Sequence, residues 1–429
     1  MSRIRIYNAR ILTMADGCNF IEDGVLTTDG ERITYAGTAD GEKQGTVYDR
    51  EIDAKGNLIM PGFKNAHTHS GMTFLRSFAD DLPLDRWLNE SVFPREAKLK
   101  DGDIYWCTKL AVMEYLTSGI TACFDMYLKP YEIAKATEEC GFRCVQVGGM
   151  NNFSQSLELQ EEWFNELNGK NPLTSYILGY HAEYTCSKEL LSGLSELSHK
   201  YKAPVWGHNS ETASEVSGCE ERYGLTPTEL ADSLGLFDYG GGGYHCVYLS
   251  DNDIEIFKKR GLQIVTNPSS NTKLASGIAP ISRYLKEGIG LAIGTDGPAS
   301  NNCLDMFREM FLVAGLQKLK ESDASAMDAN EVLYMATVGG ARAMGLDECD
   351  TLEAGKYADL IMLDMSKPEM QPVCNVTKNI VYSGSKADVK LTMIAGDILY
   401  EDGRFNIGEA PDTIIREVNK VNQEIGGVR

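Results

Sequence analysis

Histidine is scarce in this chain: 429 residues carry only six, and tryptophan is scarcer still at four. Cationic charge is short as well. Lys and Arg number 41 against 62 Asp and Glu, and the resulting net charge of −21 repels phosphate backbones and anionic lipid surfaces. That excludes a nucleic acid polymer and a membrane surface as expected partners. No apolar run reaches the ~20 residues that a membrane-spanning helix requires. The opening stretch MSRIRIYNARILTMADGCNFIEDGVLTTDG has no unbroken apolar segment followed by a small-residue cleavage site, so no secretory signal is read there. The eleven cysteines form no CxxC pair and no regular spacing, and an odd number cannot all pair within one chain. Reduced thiols in a cytoplasmic protein are the expectation.

What is present is a change of rhythm along the chain. Residues 1–57 alternate short β-prone pieces with turn signals, in RIRIYNARIL, DGVLTTDGERITYAGT and TVYDREIDA. The same texture returns over 355–429, in KYADLIMLDM, NIVYSGS and VKLTMIAGDILYEDGRF, where IAGDILYEDG reads as a hairpin. Two β segments bracketing a different middle predict one small β-sandwich domain built from both chain ends. Over 58–354, eight short apolar runs alternate with helix-prone segments: NLIMPGFKNAHTH, GITACFDMY, FRCVQVGGM, SYILGYHAEYT, APVWGHNSE, GGYHCVYLS, LQIVTNPSSN and GIGLAIGTDGP. Stretches such as DIYWCTKLAVMEYLTSG and SKELLSGLSELSHKYKA between them repeat apolar residues at helical spacing. The fold class is therefore α/β, a TIM-type (β/α)8 barrel, whose functional residues gather at the C-terminal ends of the strands.

Those ends hold His67 and His69 in the first run, His181 in the fourth, His208 in the fifth, His245 in the sixth and Asp296 in the eighth, five of the six histidines. Residues i and i+2 of a strand share a face, so His67 and His69 can both turn into the barrel mouth and bind one ion. His208 and Asp296 would complete three imidazoles and one carboxylate, a donor set that suits zinc first and ferrous iron second and leaves a position for water. Singly, each of these residues has an ordinary structural explanation; their joint placement at independently chosen strand ends is what points to one divalent metal ion. Glu211, in HNSE three residues after His208, is placed to shuttle protons, and His245 and Asp296 to orient or deprotonate a water.

PGF…HTH, then H-x-x-E, a strand-end His and GTDGPASNN together resemble the amidohydrolase superfamily, in its mononuclear aminohydrolase branch. The resemblance spans nearly the whole chain and takes in LEAGKYADLIMLD. It is closest at residues 67–99 and 267–285, which are similar to the methylthioadenosine/S-adenosylhomocysteine deaminases. The resemblance implies His67, His69, His208 and Asp296 as metal ligands, Glu211 and His245 as the proton-handling pair, and Trp87, Glu96 and His181, with Glu211, as substrate contacts. It implies hydrolytic deamination of adenine nucleosides such as adenosine, 5′-deoxyadenosine or 5′-methylthioadenosine, in a homo-oligomer. Family members that bind S-adenosylhomocysteine carry arginines at and after the end of the third strand. Here that stretch reads VGGMNNFSQSLELQEEW, without Arg or Lys between Arg143 and Lys170, and Gly148 stands where the first such arginine would be. A carboxylate there would lose a bidentate partner, so substrates with neutral 5′ ends are expected.

Other readings stay open at this point. A deaminase of guanine or a cytosine analogue would share the metal set, and so would a barrel that binds a nucleoside without turning it over. Two-metal amide hydrolysis would need a lysine at the end of the fourth strand, where His181 stands. The Gly-rich GGGY at 241–244 precedes a strand rather than joining a strand to a helix, so it is not a dinucleotide-binding turn.

Overall fold

The eight apolar runs become eight parallel strands. In chain order these are Phe63–Thr68, Ile120–Asp125, Arg143–Val147, Thr174–Tyr180, Val205–Asn209, Gly241–His245, Gln263–Thr266 and Gly290–Ile293, each hydrogen-bonded to the next. This computed structural model describes residues 2–15, 19–43, 45–78 and 80–426, with Asp85 described by its backbone alone. The last strand returns to the first through their ends. Asn65 and Thr295 exchange two hydrogen bonds at 2.7 and 2.8 Å, and the Asp296 N–H donates to the His67 carbonyl at 2.9 Å.

Strands buried on both faces lack a polar alternation, which is why the runs read as continuously apolar. Ala66, Phe124, Val145, Trp206, Tyr244 and Val265 fill the barrel interior, while Cys123, Leu178, Val205 and Ile264 face the helical layer. Phe124, Trp206 and Tyr244 pack ring against ring at centroid distances of 5.3 to 5.8 Å. They form an aromatic plug beneath the strand ends. The helix-prone stretches become helices Asp103–Thr117 and Lys188–Tyr201, the latter capped by Ser187, whose side chain accepts from the Leu190 N–H. The described helices include none long and apolar enough to cross a membrane.

The chain ends build a separate nine-stranded sheet, as expected of the accessory β domain. Leu58–Pro61, the front of the expected first barrel run, belongs to that sheet: it pairs with Ile4–Leu12 and antiparallel with Leu360–Leu363. Gly62 then breaks the ladder and Phe63 opens the barrel, so the chain-end sheet reaches past residue 57. The hairpin of Val389–Ile394 and Asp397–Glu401 turns through Ala395 and Gly396 at φ +48° and +80°, the left-handed pair that a tight hairpin needs. NIVYSGS is a correction: Val376–Tyr382 is a helix, whose N-cap Asn375 accepts from the Lys378 N–H at 2.9 Å. The final segment also carries a helix, Pro411–Glu424, which packs on Asp103–Thr117 and ties itself to the barrel where Asn422 donates to the Phe74 carbonyl at 2.7 Å.

A buried ion pair joins the two sheets. Arg143, opening the third barrel strand, donates to both carboxylate oxygens of Asp359 at 2.8 and 3.1 Å, and both side chains are sealed from solvent. Removing either partner would strand a buried charge at a cost of about 3–5 kcal/mol. The ten described cysteines are all free thiols; Cys18 lies outside the described residues.

Candidate active site and metal centre

All five strand-end histidines and Asp296 converge at the barrel mouth; the sixth, His199, sits far off on a surface helix, 3.0 Å from Asp238. His67 Nε2 lies 3.2 Å from His208 Nε2 and 3.6 Å from Asp296 Oδ1, and His69 Nε2 lies 3.0 Å from the same Oδ1. One donor atom each from His67, His208, His245 and Asp296 falls within a 4.8 Å cluster. Asp296 and His245 hold left-handed backbone conformations at φ +60° and +67°, as does Ser210 at +51°. Non-glycine residues in that region cost about 1–2 kcal/mol each, and such strain collects at functional sites.

Second contacts fix the rings. His69 Nδ1 donates to the Met126 carbonyl, and His208 Nδ1 to the His181 carbonyl at 2.6 Å. A carbonyl can only accept, so Nδ1 carries the hydrogen in both rings and each Nε2 of the neutral form offers a lone pair to the centre. His67 stacks on Tyr244 at 3.8 Å. Burial, then the neighbouring imidazoles, pushes His67 and His208 well below the usual histidine range. Burial opposes ionisation of Asp296, yet His69 and the other imidazoles around it outweigh that cost and hold the carboxyl well below its ordinary value. Its Oδ2 is occupied by the hydroxyls of Ser270 and Ser300 at 2.5 and 2.8 Å, which leaves Oδ1 for the centre.

These donors fit a divalent cation. Without one, lone-pair nitrogens face each other and a carboxylate oxygen across about 3 Å, acceptor against acceptor. A cation among them turns that repulsion into coordination. His245 is held differently, with Nδ1 2.7 Å from Oδ1 of Asn271, a side-chain amide that presents a donor or an acceptor when turned over. Either tautomer of His245 is therefore satisfied, which suits a proton carrier better than a fixed ligand.

The centre floors a cavity of about 1160 Å³ that Trp87, Glu96, His181, Glu211 and His245 all line. Glu211 leaves the fifth strand with Oε1 3.0 Å from the Ser276 hydroxyl and 3.9 Å from His245 Nδ1. Behind it, buried Glu215 accepts the Ser210 and Glu211 N–H groups at 3.0 and 2.8 Å, and burial followed by the nearby Glu211 charge raises its carboxyl to about 7. Glu96 accepts from the Tyr127 hydroxyl at 2.6 Å, and burial raises its pKa. His181 is pushed down to about 4 by burial and by His69, so it meets a ligand as a neutral ring. In the loop after the third strand, a Cβ on Gly148 would overlap the Gln160 amide, and Gln155 Oε1 accepts the Gly149 N–H at 3.0 Å. The Gln160 and Gln155 amides thus pack against Gly148 and Gly149. The supporting residues Ser270, Ser276, Ser300, Asn271, Tyr127 and Glu215 were not found from sequence; the run NPSSN at 267–271 was the one local hint.

A family model described as "Amidohydrolase family" matches residues 58–399. The chain belongs to that family. Within the amidohydrolases it is similar to a 5′-deoxyadenosine deaminase from Methanosarcina acetivorans, 38% identical over 435 residues and 99% of both chains. It is likewise similar to a 5-methylthioadenosine/S-adenosylhomocysteine deaminase from Thermoanaerobacter pseudethanolicus, 38% identical over 92% of this chain and 93% of the relative. Among solved structures, a zinc-bound adenosine deaminase from Xanthomonas campestris superposes with a TM-score of 0.92 at 31% identity, covering 98% of each chain. A guanine deaminase from C. acetobutylicum, at 22% identity and TM-score 0.84, shares the fold. As an amidohydrolase the chain is an enzyme that hydrolyses C–N bonds.

Proposed function

We propose that this amidohydrolase deaminates adenine nucleosides whose 5′ substituent is uncharged, converting them to the inosine analogues with release of ammonia. The observation that carries this reading is one cavity holding both a water-activating cluster and, on its wall, the half-buried Glu96 beside Trp87. A carboxylate there is suited to the ribose hydroxyls and Trp87 to packing against the nucleoside; a free base has no ribose hydroxyls to offer Glu96. The names of the relatives support the adenine nucleoside class, and the absence of Arg and Lys between Arg143 and Lys170 supports a neutral 5′ end.

His67, His69, His208 and Asp296 would hold one divalent metal, with zinc, the ion in the Xanthomonas campestris structure, the first choice. When bound, it supplies a Lewis acid that makes water nucleophilic near neutral pH. His245 and Asp296 Oδ1 take up the proton that the attacking water gives up at C6. Glu211 carries a proton to ring N1, so that the ring accepts the new C–O bond, and a second transfer lets the C6–N bond break and ammonia leave. Neutral His181 donates or accepts a hydrogen bond without adding charge. Trp87, Leu88 and Phe93 give the cavity an apolar wall for the nucleoside to pack against.

The reading is tested by ammonia release from adenosine, 5′-deoxyadenosine, 5′-methylthioadenosine, S-adenosylhomocysteine, guanine and cytosine with metal-loaded protein. Turnover of the neutral adenine nucleosides, with S-adenosylhomocysteine poorest by kcat/KM, is the expected outcome. Activity on the free bases alone would defeat the proposal.

A further inference from the structure

Among the described residues lining the cavity, Arg222 is the only arginine or lysine. It comes from the helix Ala213–Tyr223, which begins two residues after Glu211, and its Nη2 lies 2.5 Å from Glu183 Oε2. Glu183 opens the turn Glu183–Thr185, two residues after His181. The two partners are unequally placed: the Glu183 side chain is 3% exposed and that of Arg222 44%. The carboxylate is thus sealed in the wall while the guanidinium faces the opening. Tyr184 and Thr185 of the same turn line the cavity beside it, and Phe153, 80% exposed, looks across from the loop after the third strand.

We infer that the Glu183–Arg222 ion pair is a specificity element that turns away nucleosides bearing a carboxylate on the 5′ substituent, by cancelling the one cation such a group could bind. This deepens the adenine nucleoside reading and rests on it. A substrate carboxylate that reaches this wall has shed water and finds the guanidinium already paired, through Nη2, with Glu183. Displacing Glu183 would leave a buried charge without a partner, and leaving the pair intact sets one carboxylate against another. An uncharged or apolar 5′ group meets neither penalty and finds aromatic surface instead. The loop after the third strand withholds an attractive contact; the ion pair adds a repulsive one, and discrimination commonly uses both.

The test compares kcat/KM for S-adenosylhomocysteine and for 5′-deoxyadenosine, by ammonia release, in the wild type, Glu183→Gln and the double variant Glu183→Gln/Arg222→Gln. Glutamine keeps an acceptor for Arg222 but removes the negative charge. Glu183→Gln should raise the ratio of the two substrates in favour of S-adenosylhomocysteine about tenfold, the worth of one charge-assisted hydrogen bond, and the double variant should return it to the wild-type value. An unchanged ratio overturns the inference. A lowered one overturns it too, and shows that the pair receives the amino-acid zwitterion, Glu183 meeting its ammonium. A second arm needs no variant: adenosine-5′-carboxylate should inhibit the wild type about tenfold more weakly than the uncharged adenosine-5′-carboxamide, and equal inhibition defeats the inference. Wild-type protein that deaminates no adenine nucleoside would instead bring down the functional reading, a result that differs from all of these.

Discussion

His208 Nδ1 donates to the carbonyl oxygen of His181, 2.6 Å away just past the end of the neighbouring strand. The same bond that orders the ring commits its other nitrogen to the centre of the barrel mouth, as the Met126 carbonyl does for His69. Backbone positions set by the strand ladder thereby decide where these Nε2 atoms point.

That difference between carbonyl-locked and amide-held rings separates the proposed ligands from the proposed proton carrier. His69→Ala and His208→Ala are expected to purify with well under one equivalent of zinc after dialysis against metal-free buffer, whereas His245→Ala keeps its metal and loses its rate. Elemental analysis beside steady-state assay checks this; metal lost from His245→Ala and retained in His69→Ala would exchange their roles.

Glu211 Oε1 touches the Ser276 hydroxyl at 3.0 Å and stands 3.9 Å from His245 Nδ1, the ring read as a proton carrier rather than a fixed ligand. Glu211→Gln should therefore bind metal at wild-type stoichiometry while kcat falls by roughly 10²–10⁴, the usual worth of a positioned general acid. Unchanged turnover would remove Glu211 from the chemistry.

The barrel was legible because each of its strands, buried on both faces, is a short apolar run, and the convergence of the candidate site because histidine is rare and its copies end those runs. What escaped was carried by commoner groups. Ser270 and Ser300 on Asp296, Ser276 on Glu211 and the Met126 carbonyl have no signature apart from their final positions. Glu183 and Arg222 lie 39 residues apart and meet only once two adjacent strand ends are side by side. Leu58–Pro61 was merged with the strand after it because only Gly62 parts them, and the helix Val376–Tyr382 was hidden by the β-branched, aromatic texture of NIVY, which its Asn375 cap outweighs.

Glu96 accepts from Tyr127 at 2.6 Å in a wall otherwise largely apolar, and burial raises its pKa. Glu96→Gln keeps the Tyr127 bond but weakens the acceptor offered to ribose hydroxyls. KM for adenosine or 5′-deoxyadenosine should rise about tenfold or more, since a hydrogen bond to a charged group contributes ~1.5–3 kcal/mol, with a smaller change in kcat. A variant with unaltered KM would place the ribose elsewhere.

Glu309, wholly buried on the helix Met306–Glu321, accepts the Ser269 N–H at 3.0 Å and so props the segment that carries Ser270 and Asn271 into the site. Burial raises its carboxyl from 4.5 to about 8, against the hydrogen bonds from Ser269 that work the other way. The folded value lies above the unfolded one, so this group's contribution to stability is fully present below about 4.5 and is lost as pH climbs towards 8. Asp125 and Glu215, raised by burial to about 6 and about 7, act in the same direction. Glu309→Gln resembles the protonated form and cannot ionise. Thermal unfolding at pH 5 and at pH 8.5 should show the variant gaining on the wild type at the higher pH, by an amount on the order of a few kcal/mol. Parallel pH profiles for the two proteins would mean that Glu309 ionises in the fold as readily as in the unfolded chain, and the segment bearing Ser270 and Asn271 would then be anchored to a carboxylate rather than to a neutral acid.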